Sequence, residues 1–148
     1  LARWAAFAAE EPGLAAFGEE RLRAATAYVA TVREDGVPRV HPVTPIIGAG
    51  GLYLFMEPTS PKGRDLRDRG SFAMHNGVPD GSGTGGEFWI AGRAAAVDDS
   101  GTRSAVAAAS SYAPDDRYVL FELHLLEARC NGYGDVVLPP TTRWREAP

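Results

Sequence analysis

Val37-Pro38-Arg39-Val40-His41-Pro42-Val43-Thr44-Pro45-Ile46-Ile47 reads as an extended strand, yet it carries three prolines. Successive N–H groups of a strand point to opposite edges, so Pro38 and Pro42 remove donors from the same edge. One side of this strand therefore lacks a continuous partner. Two readings follow: an edge protected against aggregation, or an opened barrel seam where a planar ligand lies against backbone. Arg39, His41 and Val43 share one face of the strand, and Val40 and Thr44 share the other. Residues 27–33 read as the preceding strand, joined to it by the hairpin turn Glu34-Asp35-Gly36.

The pattern outside this hairpin is consistent with a small β protein. Residues 3–25 read as two short helices split at Glu11-Pro12-Gly13, with Trp4, Phe7 and Ala8 on one face and Leu14, Phe17 and Leu22 on another. Downstream come a turn at 48–51, a strand at 52–57 and a helix at 61–69 closed by Gly70. A strand at 71–76 follows, then a loop at 79–86 with four glycines among eight residues. Residues 87–97 form a long strand with Trp89 in the barrel core. Asp99 or Ser100 caps a helix that runs to about Tyr112. Residues 117–128 are a strand, and Val136-Val137 and residues 142–145 close the sheet. Many short strands, hairpin turns and few helices give a small antiparallel barrel. It is expected as a single domain over 1–148, with helices in 1–25 and the barrel in 26–146.

Composition excludes several functions. The chain has 148 residues with a formal charge of −4, so no general attraction to nucleic-acid phosphates is expected. Cys130 is the single cysteine, which rules out an internal disulfide framework. No apolar run approaches the roughly 18 to 20 residues that cross a bilayer. Residues 1–11 read as an amphipathic helix rather than a cleaved signal, and the expected location is cytoplasmic. His41, His75, His124 and Cys130 show no metal-ligand spacing, and no metal is expected.

Of 15 basic residues, 14 are arginine and the only lysine is Lys62. It lies in Thr59-Ser60-Pro61-Lys62-Gly63-Arg64, where Ser60 suits an N-cap and Pro61 the first helical position. A lysine beside the positive end of a helix is locally unfavourable, and an anion bound there reverses the sign. Phosphate is the natural anion. The alternative is a solvated lysine with Asp65 nearby.

Five pieces recur here in a recognisable order: Ala30-Thr31-Val32-Arg33-Glu34-Asp35-Gly36-Val37-Pro38-Arg39-Val40-His41-Pro42-Val43; Leu52-Tyr53-Leu54-Phe55-Met56; Ser60-Pro61-Lys62-Gly63-Arg64-Asp65-Leu66; Glu87-Phe88-Trp89-Ile90-Ala91-Gly92-Arg93-Ala94; and Arg143-Trp144-Arg145. In order and spacing they resemble the pyridoxamine 5′-phosphate oxidase-like, flavin-binding split-barrel family, well over about residues 25–97 and loosely beyond. The resemblance implies a mainly β fold, a six- to eight-stranded antiparallel split β-barrel of Greek-key type with short flanking α-helices. It also implies a homodimer with FMN at the subunit interface. Arg39, Val40, His41, Pro42, Val43 and Thr44 then lie along the isoalloxazine and ribityl chain, flanked by Phe55 and Met56. Thr59, Ser60, Lys62 and Arg64 surround the phosphate, while Glu87 and Trp144 reach toward the ring, Trp144 from the partner subunit.

The chain departs from the family pattern at Pro61, where an arginine is usual, and at Glu87, where an amide is usual. The Arg-x-His signature of true pyridoxamine phosphate oxidases is absent, so that substrate is not expected. The resemblance implies an FMN-dependent oxidoreductase acting on a small molecule, with His41 the proton donor nearest the ring. The alternatives are an F420 (deazaflavin)-dependent reductase, and a non-catalytic flavin- or haem-binding protein with His41, His75 or His124 as an axial ligand.

Overall fold

Thr44 and Pro45 divide the proline-rich stretch into two strands, β2 (Pro38–Val43) and β3 (Ile46–Gly48), where the sequence pattern had suggested one. In the computed structural model, which describes residues 1–148, these two strands are the opposite ends of one sheet. The other elements are α1 (Trp4–Glu10), α2 (Pro12–Ala24), β1 (Ala27–Val32), β4 (Gly51–Met56), α3 (Pro61–Asp68), β5 (Ser71–Asn76), β6 (Glu87–Val97), α4 (Ser100–Ala109), β7 (Val119–Asn131) and β8 (Arg143–Arg145). The sheet order is β2-β1-β5-β6-β7-β4-β3, every pairing antiparallel, with β8 on the second half of the β7 edge that β4 occupies first. This is a curled split barrel.

Arg33 N–H donates to Val37 O at 3.0 Å, which sets the β1–β2 register. Odd-numbered residues of β2 therefore bond to β1, and Pro38 and Pro42 turn their missing N–H groups to the free edge. Closure of the barrel comes from the peptide chain through Thr44-Pro45 and not from a hydrogen-bond ladder. Opposite this seam, β6 and β7 hold the longest pairing in the sheet, with a bulge where Ala91 faces Glu127 and Gly92 faces Leu125. A Cβ on Gly92 would collide with the His124 carbonyl, so glycine is required for the strands to bend there.

Alternation places Val29, Leu54, Met74, Ile90, Leu123 and Leu125 inside, where α1 and α2 add Phe7, Leu14 and Leu22. Tyr53 and Phe55 of β4 face the other way and join Ile46, Leu120 and Val106 of α4 in a second, smaller core. Both faces of β4 are thus covered, and all six of its residues are buried. Asp99 caps α4 by accepting from Thr102 N–H at 2.7 Å, but the helix stops at Ala109, short of Tyr112. Val136-Val137 is not a strand: that edge of β7 is taken by β4, by Ala2 opposite Leu125 and by β8. No helix is long and apolar enough to cross a membrane.

The buried Asp65 fastens α3 to the β1–β2 hairpin. Its carboxylate accepts from Thr31 Oγ1 at 2.7 Å, Arg39 Nε at 3.0 Å and Arg69 Nη2 at 2.9 Å. Burial pushes its pKa upward, but these three donors outweigh burial and hold it below the ordinary carboxylate value. Its stabilising effect is therefore complete above about pH 4 and is lost as pH falls through the lowered pKa. Asp65→Ala is expected to cost about 3 kcal/mol at pH 7 and to remove this acid-range component of stability. Urea unfolding of both proteins from pH 7 to 2 measures it; parallel stability–pH curves would refute the anchoring role.

Candidate functional site

The start of α3 forms as its residues direct. Ser60 is extended at φ −67°, and its Oγ accepts from Gly63 N–H at 3.1 Å, while Pro61 fills the first helical position. A Cβ on Gly63 would press on Ser60 Oγ and the Glu57 carbonyl, so the turn is tight. Gly70, at φ +76°, closes the last turn and its carbonyl accepts from Ala94 N–H at 2.8 Å. The nearby arginines are already engaged with backbone: Arg64 with Thr59 O and Arg67 with Pro58 O, both at 3.2 Å. Lys62 is half-buried and pairs with no carboxylate. Asp65, the obvious neutralising partner, belongs to Arg39 and Arg69.

Across from Lys62 stands His41, on the same face of β2 as Arg39. Its Nε2 is buried without a hydrogen-bond partner. Burial first, then the charges of Lys62 and Arg39, push the imidazole below its ordinary pKa against a weaker pull from Asp65. His41 is therefore neutral at pH 7. An unpaired ammonium, a capping hydroxyl and an orphaned imidazole nitrogen thus gather beside the free sheet edge. This group could hold a phosphate-bearing ligand, with Lys62 as the countercharge, Ser60 and Thr59 as hydroxyl donors, and His41 Nε2 open to a partner. Arg39 Nε is held by Asp65, while the charge of its guanidinium still acts on His41.

The remaining expected residues divide. Val40, Pro42 and Thr44 are exposed, whereas Val43 packs on the main core. Met56 is also in that core, and Phe55 lies on the outer side beneath Arg103, 5.0 Å from its guanidinium carbon. Trp144 faces inward, its indole 5.0 Å from Phe7 and its Nε1–H bonded to Glu10 at 2.7 Å. Glu87 stands on the outer face, opposite to the side on which His41 and Lys62 meet. One chain does not bring Glu87 or Trp144 to Lys62.

Glu87 instead belongs to a second cleft of about 570 Å³, with His75, Trp89, Arg129 and Arg143 among its walls. His75 Nε2 is 3.4 Å from Glu87 Oε1, and Asn131 Nδ2 donates to Glu87 Oε2 at 3.5 Å. Trp89, expected inside the barrel, lies on the outer face beneath Arg129. Alternation fixes this: its neighbours Phe88 and Ile90 are the inward residues of β6. The sequence reading also missed Asn76, buried at the end of β5. Its Oδ1 accepts from Phe88 N–H at 2.7 Å and its Nδ2 donates to Gly86 O at 3.1 Å, tying both ends of the glycine-rich loop. A polar residue ending an apolar strand before that loop was the available signal.

The chain matches no protein-family model and no curated protein sequence. Solved structures do share its fold. A heme-binding protein from Mycobacterium smegmatis superposes with TM-score 0.64 at 21% identity over 86% of this chain and 57% of the other. A NimC/NimA family protein from Clostridium acetobutylicum gives 0.64 at 19% identity, covering 77% and 84%. HutZ, the heme storage protein of Vibrio cholerae, gives 0.57 at 17% identity, covering 78% and 89%. The chain therefore spans little more than half of the mycobacterial protein. At these identities the likeness establishes the fold, a split barrel.

Removing the ammonium with Lys62→Met should raise the His41 titration midpoint toward its ordinary value, though not fully, since burial persists. NMR titration of the imidazole resonances reads the shift. An unchanged midpoint would show that Lys62 does not face His41.

Proposed function

We propose that the chain is an FMN-binding oxidoreductase of the pyridoxamine 5′-phosphate oxidase-like group, acting on a small molecule as a homodimer. The observation that carries this reading is the unpaired Lys62 ammonium at the Ser60-capped start of α3, beside the proline-blocked edge of β2. In this reading Lys62, Ser60 and Thr59 hold the phosphate, and the free edge of β2 runs along the planar part. FMN, when bound, supplies hydride and electron chemistry, and the protein supplies position and electrostatics. The neutral His41 stands ready to hold or release a proton at Nε2.

A second copy of the chain completes the site. Glu87 and Lys62 lie on opposite sides of one sheet, so only a partner's Glu87 can approach this Lys62. The outer face of β2-β1-β5-β6 supports such pairing: Tyr28 is 47% and Val40 63% exposed, among Pro42, Ala73 and Ala91. Exposed apolar side chains gathered on one sheet face are a common mark of an interface. Val40→Asp is expected to turn the dimer into a monomer in light scattering, with loss of FMN binding. A monomeric wild-type chain would overturn the dimer.

A second reading is haem binding, favoured by the same His41 Nε2: a neutral imidazole without a hydrogen bond is the form that ligates iron. Two proteins of this fold described above are named for heme. The visible spectrum and mass of the released ligand separate FMN, F420 and haem. Lys62→Ala is expected to weaken FMN about 10- to 100-fold and to leave riboflavin unchanged, the loss of one charge-assisted phosphate contact. Equal losses for FMN and riboflavin in fluorescence titration would refute the phosphate assignment.

A further inference from the structure

We propose that Arg117 is a positioning residue for the phosphate site read at the start of α3, a role that rests on that reading: by gripping Glu57 it fixes the turn that carries the Ser60 cap and Lys62. Residues 57–60 form this turn between β4 and α3, closed by Ser60 N–H donating to Glu57 O at 3.0 Å. Arg64 and Arg67 also bond carbonyls of the turn, but both belong to α3 and move with it. Asp65 anchors the helix further along, to the β1–β2 hairpin. At the turn itself the grip from another element is Arg117, just ahead of β7, where Met56 ends its pairing opposite Val119. Arg117 Nε donates to Glu57 Oε1 at 3.2 Å and to Oε2 at 3.0 Å, and its Nη2 lies 2.8 Å from Oε2. A planar guanidinium engaged with both carboxylate oxygens fixes direction as well as distance.

Arg117 is itself held in place. Its backbone N–H donates to Asp115 Oδ1 at 3.1 Å, and its Nη1 donates to Asp115 Oδ2. Behind it, Arg103 of α4 bonds three carbonyls of the same loop: Tyr118 O at 2.7 Å, Asp115 O at 3.2 Å and Asp116 O at 3.3 Å. An exposed ion pair adds little to global stability, because water screens it and two long side chains lose freedom. Its effect here is on where the turn sits, and the cap has little slack to absorb a shift. A Cβ on Gly63 would meet Ser60 Oγ at 2.9 Å and the Glu57 carbonyl at 3.2 Å. The grip also has an electrostatic side. Glu57 lies three residues before Ser60 and five before Lys62. A bare carboxylate there would oppose an incoming phosphate, and Arg117 neutralises it.

Amide hydrogen exchange at Gly63, the donor in the Ser60 cap, and flavin titration of the full chain test this role. In Arg117→Gln, exchange at Gly63 N–H is expected to speed up about fivefold while urea unfolding stays close to that of the wild type. FMN affinity should fall about fivefold, with riboflavin affinity unchanged. Glu57→Gln should speed the exchange alike but cost less FMN affinity, since it removes the grip without leaving a bare carboxylate. Unchanged Gly63 exchange in either variant, equal losses for FMN and riboflavin, or a large fall in urea stability would each overturn the positioning role. A strong preference for FMN over riboflavin that survives intact in Arg117→Gln overturns that role and leaves the phosphate reading standing. A wild-type chain that binds FMN no better than riboflavin overturns the phosphate reading, and the exchange rates then decide by themselves whether Arg117 holds the turn.

Discussion

Two missing amide hydrogens govern this fold. Pro38 and Pro42 leave β2 with a hydrogen-bonding edge toward β1 and a blocked edge on the other side. The sheet can curl until β2 and β3 are neighbours in the chain, but it cannot seal itself by a ladder. The open seam in turn leaves the start of α3 accessible beside backbone. Asp65 then fixes how that helix sits, since it draws on Thr31 and Arg39 of the hairpin and on Arg69 of the helix's own end. Using both arginines on Asp65 is what leaves Lys62 without a countercharge. The electrostatic character of the site is thus a by-product of how the helix is anchored.

Local chemistry was legible in the sequence wherever a residue acts within its own turn. Ser60 and Pro61 marked the start of α3, Gly70 its end, Asp99 the start of α4, and the two prolines a strand with a free edge. Features that depend on distant partners were not legible. Nothing in the alternation of residues 37–47 shows that the chain changes sheet edge at Thr44-Pro45, because the period continues across the break. Trp89 resembled a core residue by size alone, and its outward direction follows from which β6 residues α1 and α2 cover. Val136 and Val137 have strand propensity but no free edge to join. The Asp65 cluster spans residues 31 to 69 and has no signature within any one segment.

The two faces of the sheet handle charge in opposite ways. Around α3, cations are neutralised by one buried carboxylate and a single ammonium is left over. On the outer face, two arginines are set against each other by strand register, with carboxylates held at the periphery. The first arrangement leaves one cation at a helix end with backbone alongside; the second leaves two cations side by side across strands. Their separation by the thickness of the sheet means that a single chain presents them in different directions.

The tether at Thr44-Pro45 gives the seam the mechanics of a hinge pinned at one end. Separating β2 from β3 breaks no interstrand hydrogen bond, so the barrel can widen without sacrificing any of its ladder. A ligand entering there would not compete with the hydrogen bonds that hold the sheet together. Bound across the seam, it would bridge two edges that no hydrogen bond joins, and would stabilise the folded barrel by an amount set by its concentration relative to its dissociation constant. A barrel of this kind would be completed by a ligand seated in its seam, in the way a clasp closes on what it holds.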